Sequence, residues 1–230
     1  MAYVVGLTAT DGCLLSGRRA INFKSEDRDL VETYLRLLGR RNQIKSHRTY
    51  AGRFAYYTQF HDSRLYEWFR SVGLMPRKSL ALGALRVPRE LFIDTARGLL
   101  DGDGSIVNFR YRGTGKARGR EYETIRLYFN SASRPHLLWI QEEMQALLGI
   151  RGVVKFISYT SAGNPYYRTE YAMRETTIAL RSIYRDPKAP CLQRKRLIWD
   201  TYLARVASGL ARSAPVIIES SNQPARVAER

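Results

Sequence analysis

The 230-residue sequence predicts an α+β protein built from two similar halves, each running helix, hairpin, helix, hairpin, helix, with a twisted antiparallel sheet covered by helices on one face. Three observations lead there. The stretch Val4–Gly12 (Val-Val-Gly-Leu-Thr-Ala-Thr-Asp-Gly) is echoed by Ala96–Gly104 (Ala-Arg-Gly-Leu-Leu-Asp-Gly-Asp-Gly), an internal repeat at half-chain spacing. The segments after each echo follow in the same order of helical and strand-like patterns. Hydrophobic residues make up 44% of the chain, enough for an ordinary core and against a disordered basic tail.

Each echo reads as a helix stopped by glycine. In the first half, Cys13 to Lys24 fills the slot of a short hairpin. Ser25-Glu26-Asp27 then opens a helix with Leu30, Tyr34, Leu37 and Leu38 on one face, ending at Gly39. Arg53 to Phe60 alternates as a strand, and Leu65 to Val72 reads as the third helix before Gly73. In the second half, Pro88 and Glu90 announce the echo helix. A long hairpin spans Ser105 to Ser131, its loop running from Gly113 to Gly119. The next helix begins near Ser133 and Pro135, carries Leu137, Ile140, Met144, Leu147 and Leu148, and stops at Gly149. Val153 to Tyr159 and Tyr166 to Met173 read as strands, and Thr177 to Tyr184 as the last helix of the pattern. Trp68, Trp139 and Trp199 fall in helical apolar patterns and read as core, whereas His47, His61 and His136 have no metal-binding spacing. The expected division is residues 1–86, residues 87–205 and a weakly ordered tail, 206–230.

Lys and Arg number 38 against 21 acids, a net charge of +17. Such an excess on a folded domain calls for a polyanionic partner. Arginines outnumber lysines 31 to 7, and the planar guanidinium suits phosphates and guanine edges. No stretch approaches the roughly 20 apolar residues of a membrane span, and the N-terminus lacks the features of a secretory signal. Two cysteines, Cys13 and Cys191, exclude a disulfide framework and a cysteine-based zinc site.

Ala96–Gly104, followed by Ser105-Ile106, resembles the LAGLIDADG motif of homing endonucleases, and Val4–Gly12 its looser first copy. Gly73-Leu74-Met75-Pro76-Arg77-Lys78-Ser79, then Val87-Pro88 and the second motif, resembles the single-chain, two-motif members. The resemblance covers roughly residues 1–205. Ala9 and Arg97 depart from the pattern, but Asp11 and Asp103 keep its metal-binding acid. Gly6 and Gly98 lack Cβ and would let the two motif helices approach closely. Asp11 and Asp103 would then meet at the negative ends of two helix dipoles, a conflict that a divalent cation relieves.

The resemblance implies a saddle of two pseudo-symmetric αββαββα halves with the motif helices at the interface. It also implies Mg²⁺-dependent hydrolysis of both strands of a long, asymmetric DNA duplex, leaving short 3′ overhangs. Two or three ions would be held by Asp11 and Asp103, with the carbonyls of Thr10 and Gly102 as further ligands. Water would be the nucleophile. Lys78 and Lys195, each downstream of a proline, would polarise that water or neutralise transition-state charge.

Strand alternation nominates the DNA-binding residues. In the first half these are Arg18, Arg19, Asn22 and Lys24 on the short hairpin, and Arg53, Tyr57 and Gln59 on the next strand. In the second half they are Asn108, Arg110 and Arg112, with Lys116, Arg118, Arg120, Tyr122, Arg126 and Tyr128 on the loop and return strand. Lys155, Arg168 and Arg174 complete the set. Basic and aromatic groups gathered on one face suit a β-ribbon in a major groove. The expected protein is an intracellular monomer that binds double-stranded DNA. Two alternatives share the scaffold: an RNA-splicing maturase that binds intron RNA, and a DNA-binding regulator without catalysis. The C-terminus carries no Asn to cyclise, against a complete intein.

Overall fold

The computed structural model describes residues 1–49, 51–115, 118–119 and 121–208. Its first half contains α1 (Ala2–Thr10), β1 (Gly12–Leu15), β2 (Ala20–Ser25), α2 (Arg28–Leu37), β3 (Lys45–Arg48), β4 (Phe54–His61) and α3 (Ser63–Val72). A 3₁₀ turn at Arg89–Leu91 leads into the second half. That half contains α4 (Phe92–Asp101), β5 (Ser105–Arg112), β6 (Glu121–Ser131), α5 (Arg134–Leu148), β7 (Val153–Tyr159), β8 (Pro165–Tyr171) and α6 (Met173–Ile183). A last helix, α7 (Gln193–Ala207), follows. The architecture is the α+β arrangement expected from the repeat: two antiparallel sheets of order β1-β2-β4-β3 and β5-β6-β8-β7, equivalent strand for strand.

Each element has a local cause. Helix α1 carries no charged residue and buries Tyr3, Val4, Val5, Leu7, Thr8 and Ala9, because it is surrounded by protein. Helix α2 is amphipathic and buries Leu30, Val31, Tyr34 and Leu35. Tyr34 stacks on Phe23 of β2 at 4.1 Å, and its hydroxyl shares a 3.0 Å hydrogen bond with Thr8 of α1. The side chain of Asp62 caps α3 by accepting from the Leu65 amide, and left-handed Gly73 ends the helix. Helix α5 has proline in its first turn and left-handed Gly149 after its last.

Four features depart from expectation. Strand β3, Lys-Ser-His-Arg, is exposed along its whole length; no apolar alternation marks it, and pairing with β4 alone makes it a strand. Helix α6 begins at Met173, a turn earlier than read, so Arg174 leaves the sheet for a helix. Trp68 is 38% exposed, while Trp139 and Trp199 are core. The residues read as tail begin inside α7, at Val206 and Ala207; 209–230 lie outside the described residues. Helix α7 has no first-half counterpart. It covers the inner side of the long hairpin, where Arg205 meets the buried Glu123 at 3.2 Å.

The segment between the halves is anchored. Leu74, Leu82 and Leu85 are buried, and His136 Nδ1 bonds the Gly83 carbonyl at 2.8 Å. Burial pushes the His136 imidazole down to about 4, so the unfolded chain takes up the proton first. This contribution is complete above about pH 6.5, falls as the pH drops, and levels off below about 4, for a loss of about 3 kcal/mol. Urea denaturation at pH 7.5 and 4.5 should show wild type losing about 2–3 kcal/mol more than His136→Gln. Equal losses would contradict the neutral buried imidazole. Among the described residues no helix is long and apolar enough to cross a membrane.

Candidate active site

The site begins with two glycines. Helices α1 and α4 pack side by side, and a Cβ on Gly98 would stand 2.2 Å from the Tyr3 carbonyl oxygen and 2.9 Å from the Leu7 nitrogen. One on Gly6 would stand 2.2 Å from the Thr95 carbonyl oxygen. The contact is therefore backbone against backbone, as expected from the missing side chains. Across it, the Tyr3 hydroxyl donates to the buried carboxylate of Asp101 at 2.8 Å. The same oxygen accepts the Leu192 amide at 2.8 Å.

Because the helices lie parallel in register, their C-terminal ends coincide. Asp11 is the residue after α1, and Asp103 lies two residues after α4. Asp11 is half-buried, and Asp103 lies at the edge of the site, partly exposed. Among the described residues no protein donor is placed on either carboxylate; the backbone oxygen of Asp103, by contrast, accepts from Asn130 Nδ2 at 2.7 Å. Burial pushes the Asp11 carboxyl up to about 7; the charge of Asp103 adds to this, and Lys195 and Lys78 oppose it. Burial raises Asp103 as well, against the same two lysines. Two unbonded carboxylates beside two negative helix ends are an arrangement that a hard cation stabilises. Among the described residues no three His, Cys, Asp or Glu converge. The protein thus offers a carboxylate pair, and water and phosphate oxygens would complete a Mg²⁺ shell. The donor set fits.

The lysines occupy equivalent places. Lys78 Nζ donates to the Thr10 carbonyl at 3.3 Å and to that of Gly12. Lys195 Nζ donates to the equivalent carbonyls, Gly102 at 3.0 Å and Gly104 at 2.7 Å, and also to Leu100 at 2.7 Å and Asp101 at 2.9 Å. Both ammonium groups are buried, and burial lowers Lys78 and brings Lys195 down to about 8. Each neutralises the carbonyl end of its motif helix. The Thr10 and Gly102 carbonyls are engaged by these lysines and keep one further lone pair each.

The sheets present one inner face to the helices and one open face. In the first sheet the register pairs Asn22 with Gln59 and Lys24 with Tyr57, so these four candidates share the open face. Lys45 pairs with Tyr57 and His47 with Ala55 on that same face. Neither was singled out, because the strand that carries them has no sequence signature. Arg18 and Arg19 lie in the β1–β2 turn. Arg53 precedes β4 and pairs with Glu26 at 2.9 Å.

In the second sheet the register corrects the sequence reading. Tyr122 pairs with Tyr111, Arg126 with Val107 and Tyr128 with Ser105, which places them on the open face. Asn108, Arg110 and Arg112 pair instead with Ile125, Glu123 and Glu121, which places them on the helix side. The two strands were read with matching polarity, but their pairing is offset by one residue, and that inverts every side chain of β5. Arg168 and Lys155 pair with each other on the open face. Arg168 Nε donates to Asn130 Oδ1 at 3.0 Å and lies 4.6 Å from the Tyr128 ring centroid. Lys155 meets Glu170 at 2.7 Å. Arg118 lies in the hairpin loop; Lys116 and Arg120 lie outside the described residues.

Two site residues escaped the sequence reading. Asn130 links the open face to the site by holding both Arg168 and the Asp103 carbonyl; continuing the β6 alternation past Tyr128 would have found it. Asp101 bridges the two helices and the α6–α7 connection. Arg97, the departure from the motif, serves the same connection: it donates to Pro190 O at 3.0 Å and Ile183 O at 3.3 Å and pairs with Asp94 at 2.7 Å.

No protein-family model matches the chain, and no curated protein matches its sequence. Solved structures do match. A point mutant of I-SmaMI aligns with a TM-score of 0.61 and 11% identity over 90% of this chain and 92% of that one. I-DmoI in complex with DNA and Ca gives 0.53 and 14% over 86% and 96%. The N-terminal LAGLIDADG domain of DUF199/WhiA gives 0.51 and 14% over 79% of each chain. Identities this low speak for the fold alone: this chain has the fold of the LAGLIDADG proteins.

Proposed function

We propose that the protein is a site-specific, Mg²⁺-dependent endonuclease that cuts both strands of double-stranded DNA, acting as a single chain whose halves, residues 1–86 and 87–205, each address one arm of an asymmetric target. One observation carries this reading. Two carboxylates that accept no hydrogen bond from any described residue, Asp11 and Asp103, stand at the adjoining ends of two packed helices between two sheets whose open faces carry basic residues.

Asp11 and Asp103 would hold divalent cations beside the scissile phosphates, with the carbonyls of Thr10 and Gly102 within the same cluster. Bound there, the metal would supply an activated water and stabilise the leaving oxygen. Lys78 and Lys195 hold the motif carbonyls in place and supply positive charge next to the carboxylates. Asn22, Lys24, Tyr57 and Gln59 on one side, and Tyr122, Arg126, Tyr128, Lys155 and Arg168 on the other, would follow the duplex outward. The homing endonuclease I-DmoI, which shares the fold, has been solved in complex with DNA and Ca. The WhiA domain shares the fold without that description, so cleavage is the point to test.

A plasmid carrying the uninterrupted host locus should be linearised with 3′ overhangs in Mg²⁺ and left intact in EDTA. Binding without cutting would move the protein to the DNA-binding regulator, and preference for intron RNA over duplex DNA to the maturase. Duplex affinity should fall with a log–log salt slope of about −5 or steeper, the signature of six or more phosphate contacts. A slope near zero would contradict the electrostatic reading.

A further inference from the structure

The open face of the long hairpin is not uniformly basic. From the level of Arg126 outward it is apolar and aromatic: Val107 is 38% exposed, Phe109 42% and Tyr111 41%. Phe109 and Tyr111 have ring centroids 6.3 Å apart, and Tyr111 stacks on Tyr122 at 5.6 Å. The register places Val107 opposite Arg126, Phe109 opposite Thr124 and Tyr111 opposite Tyr122. The patch thus shares the face that runs through Tyr128 and Asn130 to the Asp103 carbonyl. The corresponding first-half face is mainly polar: Asn22, Lys24, Gln59 and Lys45 surround one ring pair, Tyr57 and His47.

Leaving such a cluster in water is unfavourable, and Arg126 stands beside it on the same face, so a polyanion with an apolar feature is the partner that fits both. In the major groove of DNA the apolar feature is the C5-methyl group of thymine. We propose that Val107, Phe109, Tyr111 and Tyr122 form a thymine-methyl reading surface, which makes the second half select A·T pairs in its outer arm by apolar contact while the first half reads by hydrogen bonds. This rests on the duplex-DNA reading above. Phe109 lies six residues beyond Asp103, roughly 20 Å along an extended strand, so the preference falls about six base pairs from the cut at 3.4 Å per pair.

The test is selection of bound duplexes from a randomised pool, followed by affinity measurements on the recovered duplex with thymine or uracil in the outer arm. Uracil keeps every hydrogen-bonding group and lacks the methyl. We expect A·T enrichment in one outer arm only, and about fourfold weaker binding per uracil, the worth of one buried methyl group. Uracil should make no difference to Phe109→Ser/Tyr111→Ser, whereas Phe109→Leu should keep the discrimination. Equal binding of the thymine and uracil duplexes by wild type would overturn the proposal and leave the endonuclease reading standing. Equal losses on both duplexes in the double variant would also overturn it, by assigning the patch to another contact. If no duplex is enriched at all, both readings fall.

Discussion

Asp11→Asn and Asp103→Asn should each abolish double-strand cleavage, by about a thousandfold or more, in line with losing a charged group that acts at the reacting phosphate. Both should still bind duplex DNA. The physical reason lies in how the two side chains are held. Neither carboxylate has a protein donor among the described residues, and burial and mutual repulsion push Asp11 up to about 7. Substitution therefore removes no folded-state bond, while it relieves repulsion between two charges at the negative ends of α1 and α4. Without metal, either variant should be more stable than wild type, by about 1–2 kcal/mol, or a few degrees in melting temperature. Mg²⁺ should raise the melting temperature of wild type and leave the variants unmoved. Lost cleavage with raised stability marks a functional carboxylate; lost cleavage with lowered stability would mark a structural one and refute the assignment.

Gly98→Ala should lower stability by more than about 4 kcal/mol, a large part of the total for a domain of this kind. Helix propensity alone argues the other way, favouring alanine by about 1 kcal/mol. Packing decides the sign. The new Cβ meets the Tyr3 carbonyl oxygen at 2.2 Å, the Leu7 nitrogen at 2.9 Å and the Gly6 Cα at 3.0 Å, all backbone atoms that cannot rotate away. The helices must separate, and the bond from Tyr3 to Asp101 goes with them. Gly83→Ala is the control, because its Cβ would meet nothing within 4 Å. Chemical denaturation should show a change of about 0.5 kcal/mol or less there. Similar behaviour of the two variants would contradict the close contact.

The motif helices were legible because their composition is extreme. An uncharged nine-residue helix must be surrounded on all sides, and its echo half a chain later supplies the neighbour. The sheets were partly legible. Asn22, Lys24, Tyr57 and Gln59 were placed together correctly because buried Phe23 and Phe60 mark the opposite face. Strand β5 was not, because only Ile106 near its start is buried, and outer residues that are exposed on both sides carry no signal of facing. Strand β3 was invisible for the same reason. The carboxylates at the adjoining helix ends were singled out through the repeat, but Asp101 was passed over. Within the motif it looks like one more acid, and its role depends on Tyr3 and Leu192, which lie 98 and 91 residues away. Arg97 looked like a flaw in the motif and is a brace for the connection that brings Lys195 to the second motif.

The glycine contact also bears on how such a chain can diverge. The spacing of Asp11 from Asp103 is set where peptide backbones touch, so it is a ruler made of parts that all sequences share. Core and surface side chains can be exchanged around it without altering the interval between the two carboxylates. If the protein cuts DNA as proposed, the open faces of the sheets could change toward new targets while the spacing of the two carboxylates stays fixed by two residues whose contribution is to have no side chain.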